Sequence, residues 1–230
     1  MTARGVFVTG TDTGVGKTRV AVALIHALRL QGLRVAAMKP VAAGHAPGEL
    51  NEDVAALRQA ADVKGDPRDV NPYAFEPAAA PHIAAAQAGV RIELDAIAAA
   101  HARLAAQADV VVVEGAGGWR VPLNEREDMA DLAKRLGLPV VLVVGLRLGC
   151  LNHALLTAES IARRGLRWGG WIGNHLEPSM PLAAENLLAL QARLPGPSLG
   201  VQPFLGRDIS SPNPLEWLTL PEMLANQNNR

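Results

Sequence analysis

The sequence predicts an α/β fold, namely a doubly wound, mostly parallel sheet with flanking helices. Short apolar runs alternate with segments whose apolar residues recur at helical spacing, the pattern of parallel strands joined by helices. The run at 110–113 is four valines, as expected for a strand that is buried on both faces. The first run leads into a glycine-bearing loop that ends in Gly-Lys-Thr, a phosphate-binding turn.

That loop, at residues 10–18, predicts a fold of the P-loop NTPase type. Gly14 and Gly16 let the backbone approach phosphates, and the helix that follows directs N–H groups and its positive dipole end at them. Lys17 is placed for the β- and γ-phosphate oxygens, and the Thr18 hydroxyl for Mg²⁺. Thr11 stands where the usual loop has its first glycine, so the loop is a variant. We therefore expect a nucleoside triphosphate as substrate.

The composition predicts one domain spanning residues 1–230. A chain of 230 residues that is 49% hydrophobic and 19% charged can fill one core. The 22 basic and 22 acidic residues leave no basic excess, so we expect no nucleic-acid partner. Cys150 is the only cysteine, which fits a reducing compartment and predicts a cytoplasmic protein. No leader or membrane-spanning run is visible, so no membrane partner is expected.

The segments after the loop bring a second lysine and an acid toward it. A helix is predicted over 18–31, and a short strand over 34–38 is followed directly by Lys39. The carboxyl ends of parallel strands collect ligands, so Lys39 is expected near Lys17. Asn51 is a helix cap, with Asp53 in the first turn of a helix through Arg58. Residues 66–81 are predicted to be a long irregular crossing, followed by helices over 81–88 and 94–107.

The second half of the chain adds further strand ends. Glu114 ends the valine run, where a carboxylate holds Mg²⁺ in P-loop enzymes. A strand over 139–145 leads into a helix start that is a second potential anion site. Asn174 ends a strand over 169–174, and its amide is suited to the edge of adenine. A helix over 182–194, a strand over 198–201 and an apolar tail segment near 215–224 complete the prediction.

The chain resembles the dethiobiotin synthetase family. The resemblance rests on blocks in the family's order over most of the chain: Val-Thr-Gly-Thr-Asp-Thr-Gly-Val-Gly-Lys-Thr (8–18), Lys-Pro-Val-Ala (39–42), Asn-Pro-Tyr (71–73), Pro-His (81–82), Val-Glu-Gly-Ala-Gly-Gly-Trp (113–119), Leu-Gly-Cys-Leu-Asn-His-Ala (148–154) and Gly-Trp-Ile-Gly-Asn (170–174). It implies that CO₂ joins 7,8-diaminononanoate as a carbamate, that ATP phosphorylates the carbamate, and that the second amine displaces phosphate. The products would be dethiobiotin, ADP and phosphate, formed by a homodimer.

The resemblance also implies residue roles. Lys17 and Lys39 would be catalytic, and Thr18, Asp53 and Glu114 would serve Mg²⁺. The nucleotide would contact Gly14, Val15, Gly16, Lys17, Thr18, Arg19, Asp53, Glu114, Gly115, Ala116, Gly117, Asn174, Pro203, Phe204 and Leu205. The diamine would contact Thr13, Lys39 and Ala43, and its carboxylate the partner subunit's helix start, represented in this sequence by Gly149, Cys150, Leu151 and Asn152.

Two positions depart from the family pattern. Ala43 stands where the family commonly has a serine that touches the substrate, which removes one hydrogen bond worth about 0.5–1.5 kcal/mol. Weaker substrate binding is therefore expected, rather than loss of activity. Arg147 stands where lysine is frequent, and the positive charge is kept.

Two other functions are compatible with this loop. A nucleotide-switched, partner-binding ATPase of the partition or cell-division type shares it, but such proteins usually place a second lysine where this chain has Asp12. The chain also lacks an amphipathic basic tail for a membrane. An amidotransferase-type ligase needs a glutamine-cleaving domain, for which 230 residues leave no room.

Overall fold

The computed structural model describes residues 4–206 and 213–225. The strands are β1 (Arg4–Gly10), β2 (Val35–Met38), β3 (Val41–Ala43), β4 (Tyr73–Phe75), β5 (Val110–Glu114), β6 (Val140–Leu146), β7 (Trp168–His175) and β8 (Ser198–Gln202). The helices are α1 (Lys17–Leu30), α2 (Glu52–Ala60), α3 (Pro67–Val70), α4 (Pro81–Gln87), α5 (Leu94–Ala105), α6 (Met129–Leu136), α7 (Cys150–Arg163) and α8 (Ala183–Arg193), with a 3₁₀ turn at Pro214–Glu216. No helix among these residues has the length and apolar character that a membrane crossing needs.

Six strands form the central sheet, in the order β2-β5-β1-β6-β7-β8, and every pairing is parallel. β2 and β5 lie on one side of β1, and β6, β7 and β8 on the other, so the chain winds outward from β1 in both directions. This is the doubly wound sheet that the alternating pattern predicts. The end of β1 therefore lies in the middle of the carboxyl edge of the sheet, where ligands bind in open sheets.

Apolar side chains cover both faces of the sheet. Val6, Val8, Val110 and Val112 pack on one face beneath α1 and α2. The alternate residues of the same strands pack on the opposite face, beneath α5, α6 and α7. Residues 110–114 are all buried, as expected for a strand with helices on both sides.

The structure corrects the prediction that residues 66–81 form an irregular crossing. Asp66 caps the short helix α3 by accepting from the Arg68 N–H, and Tyr73–Phe75 forms β4. β4 pairs in parallel with β3 in a second, two-stranded sheet. Each element has only three or four residues, too few for a recognisable period, and β4 is fixed by a partner about 30 residues away. Sequence analysis also missed α6, which has a capping box between Asp128 and Asp131.

Candidate functional site

The P-loop has the backbone that anion binding requires. Gly14 and Gly16 adopt φ angles of +74° and +89°, in the left-handed region that favours glycine. Gly16 caps α1, no side chain caps this helix end, and its first turn contains no acid. The first N–H groups of α1 are therefore available to a negatively charged ligand.

Asn174 lies against the P-loop. Its Nδ2 donates to the carbonyl oxygen of Val15 at 2.9 Å. A Cβ atom on Gly16 would lie 2.1 Å from that nitrogen, so only glycine fits there. Asn174, which the sequence suggested for adenine, thus also holds the main chain of the loop.

Lys17 is buried beside the loop, with 6% of its surface exposed. Its Nζ donates to the carbonyl oxygen of Asp12 at 2.9 Å. Burial, and then repulsion from Lys39, lower the pKa of Lys17 from 10.5 to about 8. An anion near the Lys17 ammonium would relieve both effects.

Thr18, Asp53 and Glu114 meet at the start of α1. The Thr18 Oγ1 lies 2.7 Å from Asp53 Oδ1 and 2.9 Å from Glu114 Oε1, although its single hydrogen serves only one of them. The second oxygen of Glu114 is buried without a partner. Hydroxyl and carboxylate oxygens that lie this close together, with so few hydrogen atoms between them, are suited to binding a cation.

Lys39 supplies that positive charge. Its Nζ lies 2.9 Å from Asp53 Oδ2 and 2.5 Å from Glu114 Oε1. Burial opposes the charged form of Lys39, but the two carboxylates outweigh it and raise the lysine's pKa. Burial likewise opposes ionisation of Asp53, yet Lys39 lowers that pKa on balance, whereas burial raises the pKa of Glu114. We call Asp53 and Glu114 the acid pair.

The residues of the acid pair fit Mg²⁺. In the described ranges no group of three or more His, Cys, Asp or Glu side chains is arranged to hold a metal ion. Mg²⁺ in nucleotide sites needs only one or two carboxylates, because phosphates and water complete its shell. Such a partial shell is provided by Thr18 Oγ1 and the carboxylate oxygens of the acid pair, including the Glu114 oxygen that has no partner.

Asn71 fixes the main chain at Lys39. The Asn71 Nδ2 donates to the Lys39 carbonyl oxygen at 2.7 Å, and the Lys39 N–H donates to Val70 at 2.8 Å. Sequence analysis gave Asn71 no role, although it lies in the Asn-Pro-Tyr block at 71–73. That block was the feature of the sequence that could have identified Asn71 as a residue of the site.

The glycine loop after β5 passes beside the P-loop. A Cβ on Gly117 would lie 3.4 Å from the Thr13 hydroxyl, and one on Gly118 would lie 3.8 Å from the Asp12 Cα. Gly117 and Gly118 thus lie beside the P-loop, whereas a Cβ on Gly115 would meet the Phe7 and Met129 side chains instead.

The start of α7 is a separate feature of the same sheet edge. Gly149 caps α7 with a φ of +93°, and no side chain caps the helix. Cys150 is buried, Leu151 is half-buried and Asn152 is exposed. Arg147, at the end of β6, pairs with Asp12 of the P-loop at 2.6 Å. The start of α7 therefore lies near the P-loop that follows β1, and it is a site separate from the acid pair.

The last predicted contacts lie beyond β8. Arg19 in the first turn of α1 donates to the carbonyl oxygen of Gly206 at 2.6 Å. This bond brings the segment 203–206 to α1, and its members Pro203 and Phe204 are exposed.

Ala43 ends β3, four residues after Lys39, and is half-buried.

The fold and this site define a P-loop nucleotide-binding protein. The AAA domain family model matches residues 4–207. Among solved structures, the chain is similar to MinD from Pyrococcus horikoshii with Mg-ADP, at 20% identity and a TM-score of 0.51, covering 88% of this chain and 82% of that one. A ParA family ATPase from Chlorobium tepidum gives 14% identity and a TM-score of 0.55, covering 93% and 92%. At these identities the likeness concerns the fold.

Curated relatives define the family more narrowly. The ATP-dependent dethiobiotin synthetase BioD of Aromatoleum aromaticum is 56% identical over 205 residues, covering 88% of this chain and 91% of the relative. The enzyme of the same name from Nitrosospira multiformis is 50% identical over 212 residues, covering 90% and 93%. The chain belongs to the ATP-dependent dethiobiotin synthetase family.

Proposed function

We propose that this chain closes the ureido ring of dethiobiotin from 7,8-diaminononanoate, CO₂ and ATP, releasing ADP and phosphate. One observation carries the proposal: two buried lysines, Lys17 and Lys39, flank the acid pair beside an open helix N-terminus. Transfer of a phosphoryl group needs positioning and charge neutralisation more than a protein nucleophile. Family membership supplies the particular substrates.

The chemistry proceeds in three bond-forming steps. One amine of the diamine attacks CO₂ and loses a proton, giving a carbamate. A carbamate oxygen attacks the γ-phosphorus of ATP, and the bond from that phosphorus to the β-phosphate bridge breaks, releasing ADP. The second amine attacks the carbamoyl carbon and loses a proton. The carbon–oxygen bond then breaks, and phosphate departs with the former carbamate oxygen.

The chain's own residues would position and neutralise these groups. The P-loop N–H groups from Gly14 to Arg19 bind the phosphates, and Lys17 neutralises the transferring group. Thr18 and the acid pair would hold Mg²⁺, which neutralises phosphate charge when bound. The Lys39 ammonium has three hydrogens and two carboxylate partners, so its remaining hydrogen would be donated to a carbamate oxygen.

The remaining contacts complete the proposed site. Thr13, beside the glycine loop, and Ala43 would face the diamine, while Gly115–Gly117 would lie along the nucleotide. Asn174 and Pro203–Leu205 would enclose the adenine. A partner subunit would hold the substrate carboxylate with its own α7 start, which requires a homodimer. We further propose one domain over residues 1–230, a cytoplasmic location and no nucleic-acid partner.

Release of ADP tests this function. We expect turnover only when diamine and bicarbonate are both present, because the carbamate is the phosphoryl acceptor. A nucleotide-switched ATPase would hydrolyse ATP without either compound. Undiminished ADP release when either compound is omitted would reject the ligase, and Lys17→Met provides the background rate.

A further inference from the structure

Asn51 directly precedes α2 and uses both ends of its side-chain amide. Its Oδ1 accepts from the Asp53 N–H at 3.1 Å and from the Val54 N–H at 3.4 Å, which caps the helix. Its Nδ2 donates to the Gly44 carbonyl oxygen at 3.2 Å. The two N–H groups can bond only to the amide oxygen, so the amide nitrogen has to face the carbonyl. The proposed function gives Asn51 no role.

The cap fixes the main chain of one residue of the acid pair. Asp53 is the second residue of α2, and its own N–H is one of the two that Asn51 holds. The Asp53 carboxylate is held separately, by Thr18 at 2.7 Å and by Lys39 at 2.9 Å. Mg²⁺ would compete for those carboxylate oxygens, whereas the main-chain bond to Asn51 would remain. Asn51 therefore keeps Asp53 in place while the partners of its carboxylate change.

The amide nitrogen of Asn51 closes the base of an exposed loop. The five residues before Asn51 are all exposed, and they lead back to the end of β3. Gly44, with a φ of +87°, donates its N–H to the Phe75 carbonyl oxygen at 2.9 Å. The Ala43 carbonyl oxygen lies 3.5 Å from the Asn51 nitrogen. The end of β3 is thus held by β4 on one side and by Asn51 on the other.

We propose that Asn51 is a positioning residue that joins the diamine side of the site to the metal side. Its nitrogen holds the end of β3, where Ala43 faces the diamine, and its oxygen holds Asp53 for Mg²⁺. The inference rests on the proposed function, which assigns those two contacts. Because separate atoms make the two sets of bonds, a substitution can remove one set and keep the other.

Two variants separate these bonds. Asn51→Ser keeps an oxygen that caps α2, but it has no amide nitrogen and its shorter side chain does not reach Gly44. Asn51→Ala removes both sets of bonds. Calorimetry measures the diamine affinity of the nucleotide-free protein and the Mg²⁺ enhancement, which we define as the ratio of the ADP affinity with Mg²⁺ to the ADP affinity in EDTA.

Asn51→Ser should weaken diamine binding about threefold or more, the effect of one lost hydrogen bond, and leave the Mg²⁺ enhancement unchanged. Asn51→Ala should weaken diamine binding to a similar degree. It should also reduce the Mg²⁺ enhancement about threefold or more, because Asp53 loses the bond that holds its main chain.

Asn213 provides the matched controls, because its side chain caps the turn Pro214–Glu216 outside the site. Asn213→Ser and Asn213→Ala should match the wild type in both measurements. Should Asn51→Ala fail to fold, Asn51→Gly removes the same bonds at a cap position where glycine is tolerated.

An equal loss of the Mg²⁺ enhancement in Asn51→Ser and Asn51→Ala would overturn the assignment. Wild-type affinities in both variants would overturn it too, since a merely structural cap changes Tm without changing either affinity. Failure of the proposed function is distinguishable, because the wild type would then bind no diamine. The difference in Mg²⁺ enhancement between Asn51→Ser and Asn51→Ala would in that case still decide whether Asn51 positions Asp53.

Discussion

At the scale of single residues, the position of Lys39 distinguishes this site from a simple nucleotide pocket. A lysine that is only 4% exposed would be costly to bury without partners, and the acid pair compensates for the burial of Lys39. The same two carboxylates would serve Mg²⁺ in the proposed function, so the lysine and the metal would share ligands.

Replacing Lys39 by methionine should therefore separate chemistry from binding. We expect turnover to fall about 10²-fold or more, because the proposed function loses the charge that would lie beside the carbamate oxygen. The affinity for ADP should change far less, because the P-loop is intact. Lys64→Met, at an exposed lysine that bonds only main-chain oxygens, is the control. Wild-type turnover in Lys39→Met would remove this lysine from the mechanism.

Lys17 predicts a pH dependence. Its folded pKa of about 8 lies below the ordinary 10.5, so between these values the unfolded chain binds more protons. The lowered pKa of Lys17 therefore makes the nucleotide-free fold more stable as pH rises from about 8 to 10.5. Bound phosphate reverses the shift, so ADP binding above pH 8 should take up a proton and weaken with pH.

Calorimetry with EDTA, in buffers of different ionisation enthalpy, measures that proton. We expect uptake at pH 9 in the wild type and its disappearance in Lys17→Met, at ADP concentrations that saturate each protein. Binding without proton uptake in the wild type would show that bound phosphate does not raise the pKa of the buried Lys17.

At the scale of helices and strands, the sequence predicted those elements that a local run or period of apolar residues encodes. The strands that precede Lys39, end at Glu114 and contain Asn174 were expected from their apolar runs, and β2, β5 and β7 agree with the predicted ranges to within one residue at each end. The pairing of Lys39 with Glu114 was not, because 75 residues separate them and only the β2–β5 contact brings them together. Strand β4 was missed for the same reason, since its partner β3 lies about 30 residues away, whereas α3 was missed because its four residues are too few to show a period.

The junction between the P-loop and α1 offers an element-scale test. Gly16→Ala should abolish ADP binding, because its Cβ would collide with the Asn174 amide that holds the loop. Gly32→Ala is matched to it, with a φ of +77° and no heavy atom near its Cβ. That control should lose stability, by about 1–2 kcal/mol, but not ADP affinity. Equal ADP affinities in both variants would exclude the proposed collision.

At the scale of the whole molecule, the proposed homodimer shares each site between subunits. Lys17→Ala disables the nucleotide side, and Asn152→Asp repels the substrate carboxylate at the α7 start. A heterodimer would collect both defects in one site and leave the other intact. Mixing and refolding should restore about a quarter of wild-type activity, since half the dimers hold one good site. Activity no higher than the average of the separate variants would reject the shared site.

The phosphorylated carbamate is the central claim, and oxygen transfer tests it most directly. The enzyme is given ¹⁸O-labelled bicarbonate in ordinary water, with diamine and ATP, and the phosphate is analysed by mass spectrometry before label exchanges with solvent. The proposed route predicts that each new phosphate carries one oxygen from bicarbonate, because its bond to phosphorus survives ring closure. Phosphate without the label would contradict this account, since its new oxygen would then come from water.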